Sequence, residues 1–283
     1  NAREIALSRA LIADWNPGFR QLSNPAAVTT VRGLEMGTSL FSLSLDRSIQ
    51  VISFAKQLPP KGAAAISYFR SGTGNITGRD LQGNITETLD VHDSYGMLSF
   101  GLILNPELRA GINLKAMFND INGDLSGKGI AFDVGLLYTA NPRLTLGFKL
   151  ANLAGSTTWN NNGKTVEEKL PTEYALGFSY APRSDLRLLG QYEGLKAQGH
   201  SMEGEFRLGL ETLQFEKIFF RGGLTAGNTA STSGKKKFNL DYTLGFGIVY
   251  PIWKLNDLHF DYALDPGKQG EGISHLMSFS FVL

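Results

Sequence analysis

The 283-residue sequence contains no cysteine, which excludes a disulfide framework and thiolate chemistry while saying little about compartment. No window approaches a run of apolar residues long enough for a transmembrane helix, about 18 or more. Charge of one sign is also lacking: 27 Lys and Arg against 26 Asp and Glu leave a net charge of +1. That balance removes any global argument for nucleic acid or for an acidic partner. What is plentiful is glycine, with 33 residues, and apolar residues spaced two apart. A mean hydropathy of −0.10 suits a water-soluble domain, and it also suits a membrane barrel in which only one face of each strand meets lipid.

The stretch 239–251, NLDYTLGFGIVYP, shows the spacing best. Leu240, Tyr242, Leu244, Phe246, Ile248 and Tyr250 share one face, and Asp241, Thr243, Gly245, Gly247 and Val249 share the other, the period of two of a β-strand. The apolar face has the length of the roughly 9–11 tilted residues that span a bilayer, with tyrosines toward its ends as in an aromatic belt. The pattern recurs. Leu144, Leu146, Phe148 and Leu150 oppose Arg143, Thr145, Gly147 and Lys149, while Leu258, Phe260, Tyr262 and Leu264 oppose His259, Asp261 and Ala263. Charges inside strands choose the small-residue face, as they must if the other face meets lipid, where Arg or Lys costs about 2–4 kcal/mol at the midplane. On this reading Leu244→Arg harms assembly and Gly245→Ser, facing a wet or polar-packed lumen, is tolerated.

Fourteen strands are expected, near 29–41, 46–57, 62–71, 86–104, 108–119, 128–139, 143–153, 173–181, 185–194, 203–213, 217–227, 238–250, 257–264 and 274–283. Their connections alternate in length. Short turns at 58–61, 105–108, 140–143, 181–185 and 251–257 alternate with polar, Gly-rich loops at 71–87, 119–129, 154–172, 195–202, 227–237 and 265–273. Outer-membrane barrels have this asymmetry, with short periplasmic turns and long outer loops. It places both termini on the periplasmic side. The fold class is therefore an all-β transmembrane antiparallel barrel, residues 29–283, preceded by a helical plug segment, residues 1–28.

Within that segment, residues 2–15 read as a short helix with Leu7, Leu11 and Trp15 at helical spacing, stopped by Asn16-Pro17-Gly18. These three residues are the candidate plug contacts. The first residue is Asn1 rather than Met, which suggests a processed product.

Candidate chemistry is thin, and the reading is non-enzymatic, with no cofactor and no metal. Gly72-Thr73-Gly74 and Gly245-Phe246-Gly247 lack the following helix that a phosphate loop needs. His92, His200, His259 and His275 are scattered, and His259 with Asp261 reads as lumen packing rather than half of a hydrolase site. Asp90, His92 and Asp93 have no further ligand. Asn75-Ile76-Thr77 and Asn84-Ile85-Thr86 match a glycosylation acceptor but read as the two arms of an extended hairpin. Lys235, Lys236 and Lys237 sit at an expected outer loop tip and read first as a solvated loop, with contact to lipopolysaccharide phosphate or an acidic partner as the alternative. Trp159, in the long 154–172 loop, is a candidate for burial against a partner or against its own loop.

Several segments in order carry a resemblance: Asn24-Pro25-Ala26, Gly129 to Tyr138, Leu150 to Gly155, Leu170-Pro171 followed by Tyr174 to Pro182, and Phe260 to Leu264 through His275 to Leu283. Together they resemble the PorV/PorQ group, a branch of the FadL-like outer-membrane barrels. The resemblance implies fourteen strands, an N-terminal segment in or under the barrel, the outer membrane of a two-membraned bacterium, and a role in protein export of the type IX kind. One departure is that Leu7-Ser8-Arg9-Ala10 stands where the group has a Gly-rich stretch. The expectation is an adaptor or carrier in an export or envelope complex, touching outer-membrane lipids, lipopolysaccharide and other envelope or secreted proteins, but no nucleic acid. The alternatives are a FadL-like passive channel for hydrophobic small molecules and a structural anchor of a surface assembly. The small size of the N-terminal segment favours adaptor or anchor over transporter.

Overall fold

The computed structural model describes residues 1–43, 45–122, 125–161, 163–196, 203–230, 236–253, 256–267 and 272–283. Two short helices, α1 (Ala2–Ala6) and α2 (Arg20–Ser23), and a 3₁₀ turn, Pro25–Thr30, come first. The strands follow: β1 (Leu34–Ser42), β2 (Arg47–Leu58), β3 (Gly62–Arg79), β4 (Ile85–Ile103), β5 (Leu108–Ile121), β6 (Leu125–Asn141) and β7 (Leu144–Asn161). The second half holds β8 (Lys164–Lys169), β9 (Thr172–Arg183), β10 (Leu186–Lys196), β11 (Glu203–Gln214), β12 (Ile218–Ala230), β13 (Lys236–Trp253), β14 (Asn256–Asp265) and β15 (Ser274–Val282).

Every neighbouring pair is antiparallel, β1 pairs with β15, and β6 pairs with β7, so the sheet closes on itself as a barrel of fourteen strands. Closure leaves no sheet edge to satisfy in a membrane. The fifteenth strand, β8, pairs only with the outer end of β7 and is exposed throughout. Leu34 and Leu283 exchange backbone hydrogen bonds of 3.1 and 2.8 Å, so the wall begins and ends at the same rim, that of the short turns.

The two faces are those the alternation demands. In β15, Ser274, Leu276, Ser278 and Ser280 are buried inward while His275, Met277 and Phe279 stand outside. The outer surface is a continuous belt of large apolar side chains that includes Leu40, Phe100, Ile112, Leu176, Leu208 and Leu244. Such a belt in water would be a large exposed apolar patch; in a bilayer it is the solvated face. Several expected loops are instead polar hairpins that continue the sheet. Thr77 pairs with Thr88 and Arg79 with Ile85, and Asp80 Oδ1 accepts from the amides of Gln82 and Asn84 in the connecting turn. The two Gly-Asn-Ile-Thr echoes are thus the arms of one hairpin.

The core is the N-terminal segment, which lies within the barrel. Ala2, Ala6, Leu7, Leu11, Ile12, Phe19, Ala26 and Val28 are all buried, against an inner wall of small residues such as Ala55, Ala63, Ser53, Ser67 and Ser99. Two sequence expectations need correction here. The helix over 2–15 ends at Ala6, because Ser8 (φ 50°) and Arg9 (φ 62°) enter the left-handed region. That conformation costs about 1–2 kcal/mol per non-glycine residue, and wall packing compensates: a side chain at Gly223 would overlap the backbone of Leu7 and Ser8. The first strand starts at Leu34 rather than near 29, since Pro25–Thr30 forms the 3₁₀ turn that carries the chain to the wall.

Candidate functional site

The lumen is a closed passage whose obstruction is held by charge. Arg3 of α1 donates from Nε to Glu211 Oε2 at 2.8 Å and from Nη2 to Glu211 Oε1 at 2.9 Å, and its Nη2 also reaches Asp14 Oδ2 at 2.6 Å. Glu211 lies on β11 and also accepts from Arg221 Nε of β12 at 2.7 Å, while Arg221 Nη1 reaches Asp261 of β14 at 2.6 Å. Asp14 accepts from Arg187 of β10 at 3.0 Å. Burial alone would raise the Asp14 carboxyl, but the adjacent Arg187 and Arg3 overcome it and hold the group below the ordinary carboxylate value.

Farther along the segment, Arg20 Nη2 binds both oxygens of Glu35 on β1 at 2.5 and 2.6 Å. Gln21 Nε2 reaches the hydroxyls of Ser53 and Ser67, a cross-strand pair, at 2.6 and 2.8 Å. Asn24 Nδ2 donates to the carbonyls of Ile12 and Leu136 at 2.8 and 3.1 Å. Buried ion pairs of this kind add little net stability over an apolar core. They give the segment one seat in a lumen that must also remain polar.

Cavities remain on both sides of the obstruction. Toward the long-loop end, a basin of about 390 Å³ is lined by Ile5, Ser8 and Arg9 of the segment and by Glu205, Arg207, Thr225, Asp241 and Asp265 of the wall. Among the described residues the pairing of β13 with β14 begins at Leu244 opposite Leu264, and Tyr242 and Thr243, which pair with Leu224 and Gly223 of β12, line the basin. The same two residues also line an apolar hollow of about 520 Å³ formed by Leu188, Leu208, Leu210, Leu224 and Leu244 around the outward-facing Gly222. At the short-turn end are two smaller cavities, of about 220 and 130 Å³, that share Trp15 and Arg187.

The sequence-derived candidates fall as follows. Leu7 and Leu11 are buried together with Ala10 and Leu189. Trp15 is not on their side: it turns to the short-turn mouth, 45% exposed, with the Arg20 guanidinium 5.0 Å from its ring centre. Trp159 is in the β7–β8 hairpin, its Nε1 donating to Glu168 at 2.9 Å and its ring covering Gly127 of the paired strand. Lys235 lies outside the described residues, and Lys236 and Lys237 open β13 opposite Ala230 and Thr229.

The weaker candidates are strand residues. Asp90 accepts from the Asn75 amide at 3.2 Å, Asp93 from Asn119 at 2.6 Å, and no group of three metal-ligating side chains occurs among the described residues. Asp261 is engaged by Arg221 rather than His259, His275 bonds Tyr262 outside the barrel at 2.6 Å, and His200 lies outside the described residues. Sequence reading missed Arg3, Asp14 and Arg187. The signal was present in Glu211 and Asp261, charges on the small-residue faces of strands with no partner nearby in sequence.

A closed, internally obstructed, antiparallel barrel with an apolar outer belt defines a barrel of the outer-membrane type. No family model matches the chain, and no curated protein matches it. Solved structures do. The CymD monoaromatic hydrocarbon channel is similar with a TM-score of 0.71 at 13% identity, over 99% of this chain and 96% of that one. The Pseudomonas putida toluene transporter TodX gives 0.66 at 12%, over 98% and 96%. The Ralstonia pickettii toluene transporter TbuX gives 0.65 at 14%, over 98% and 97%. At these identities the likeness is one of fold. It shows the barrel architecture and does not reach the PorV/PorQ grouping. It spans nearly all of this chain, the inner N-terminal segment included.

Proposed function

We propose that the chain is a passive outer-membrane channel for small hydrophobic molecules, gated by its N-terminal segment. The observation that carries this reading is the outer basin. It ends on the left-handed turn of Ser8 and Arg9, and it reaches the wall at Tyr242 and Thr243, two residues that also line the apolar hollow. A stretch of wall shared by an inner basin and a lipid-facing apolar hollow suits solutes that partition into apolar surroundings. The likeness to channels for monoaromatic hydrocarbons and toluene supports the same class of solute. The export-adaptor reading rests on sequence resemblance alone and gains nothing from these comparisons.

The test is uptake of toluene and of a longer apolar probe by bacterial cells that carry the chain folded in their outer membrane, against cells without it. Faster uptake with the barrel supports the reading. Equal rates, with folded barrel verified in the membrane, overturn it.

A further inference from the structure

The two cavities at the short-turn mouth are lined by five guanidinium groups, those of Arg3, Arg109, Arg143, Arg187 and Arg221, and by three carboxylates, Asp14, Glu211 and Asp261. All three carboxylates are engaged by Arg3, Arg187 and Arg221. Arg109 and Arg143 therefore stand as the positive excess. Neither has a carboxylate within ion-pair distance among the described residues. Arg109 Nη1 donates to Thr139 Oγ1 at 3.2 Å, and its Nε is buried without any partner. A buried guanidinium N–H with no acceptor is costly, and a ligand oxygen would satisfy it. The same cavity, about 220 Å³, has an apolar side made by Ala13, Trp15, Leu137 and Ala181.

We propose that this cavity binds a small organic carboxylate, its anionic end between Arg109 and Arg143 and its apolar body against Trp15 and Leu137. The planar fork of a guanidinium matches a carboxylate through paired charge-assisted hydrogen bonds. The apolar side distinguishes such a ligand from inorganic phosphate, which would use the charges and leave that wall unfilled. The site lies at the opposite end of the lumen from the outer basin, and its anion chemistry stands whether or not the barrel conducts.

The experiment is calorimetric titration of the full chain in nonionic detergent with benzoate, with benzyl alcohol as a neutral analogue, and with inorganic phosphate. Saturable benzoate binding is expected. It should weaken about tenfold or more in Arg109→Gln and in Arg143→Gln, as loss of one charge-assisted contact implies. Benzyl alcohol should bind weakly and equally to all three proteins. Arg143 is exposed at the β6–β7 turn, so its variant tests the site without disturbing the buried network. No saturable benzoate binding by the unaltered chain would overturn the proposal. So would benzoate binding in either variant as tight as in the unaltered chain, or phosphate binding as tight as that of benzoate.

Discussion

Arg3 and Glu211, 208 positions apart in sequence, meet through two parallel hydrogen bonds of 2.8 and 2.9 Å inside the barrel. Each has a further partner of opposite charge, Asp14 for Arg3 and Arg221 for Glu211. Breaking a buried pair by removing one charge leaves the other uncompensated, at a cost of about 3–5 kcal/mol. Glu211→Gln should therefore loosen the N-terminal segment while the barrel, whose wall pairing is untouched, stays folded. Limited proteolysis of the folded protein measures this: cleavage within residues 1–31 should rise strongly. Protection equal to the unaltered protein would mean that the segment is held by packing alone.

The wall supplies a second prediction, which differs from the sequence expectation. Leu244 faces outward, 54% exposed, and Leu244→Arg should cost about 2–4 kcal/mol at mid-membrane depth. Gly245 faces the lumen, but the lumen there is filled: a side chain at Gly245 would overlap the Ala6 methyl and the Tyr262 carbonyl. Gly245→Ser is thus expected to displace α1, although a wet lumen would accept it. The two substitutions separate by readout. Leu244→Arg lowers the yield of folded barrel in the membrane, whereas Gly245→Ser leaves folded barrel with a protease-sensitive N-terminal segment. A Gly245→Ser protein as protected as the parent would refute the tight seat.

The pH dependence follows from Asp14. Its folded pKa lies below its ordinary value of 3.8 because of Arg187 and Arg3, burial acting in opposition. A depressed carboxylate stabilises the folded state fully above the unfolded pKa and loses that contribution as pH falls through the folded pKa. Protection of the segment should therefore be level from neutral pH down to about pH 5 and fall only below about pH 4. In Asp14→Asn the segment should already be looser at neutral pH. A fall in protection between about pH 7 and pH 5 would place the switch on a group other than Asp14.

The barrel was legible because lipid imposes a one-residue alternation that every spanning strand must satisfy, as in Leu240 to Tyr250. The interior was less legible for a physical reason. Leu7, Leu11 and Trp15 have helical spacing, yet the chain turns at Ser8 and Arg9 to fit the barrel, and that turn depends on a glycine in β12, more than two hundred residues away. The wall partners of Arg3 and Asp14 are also far off, 208 and 173 positions away on β11 and β10. Local pattern records which face a residue occupies. It does not record which charge from another strand will meet it. Trp159 illustrates the same limit, since its ring covers Gly127 across the β6–β7 pairing, where the sequence pattern predicts two loops.

On the proposed function the turn at Ser8 and Arg9 is the gate, and it can be locked. Ser8 Oγ lies 3.1 Å from Thr243 Oγ1, joining the strained turn to β13 at the floor of the outer basin. Side-chain atoms this close make the pair a candidate for a disulfide, which requires Cβ atoms about 3.5–4.5 Å apart. Because the chain has no cysteine of its own, the double variant Ser8→Cys with Thr243→Cys introduces the only thiols. Under oxidation the turn is fixed to the wall, and uptake of apolar solutes should stop. Addition of reductant should restore it to the rate of the unaltered barrel, which itself should respond to neither treatment. Uptake that persists in the oxidised variant, with the disulfide verified by mass spectrometry, would show that solutes pass without movement of this turn.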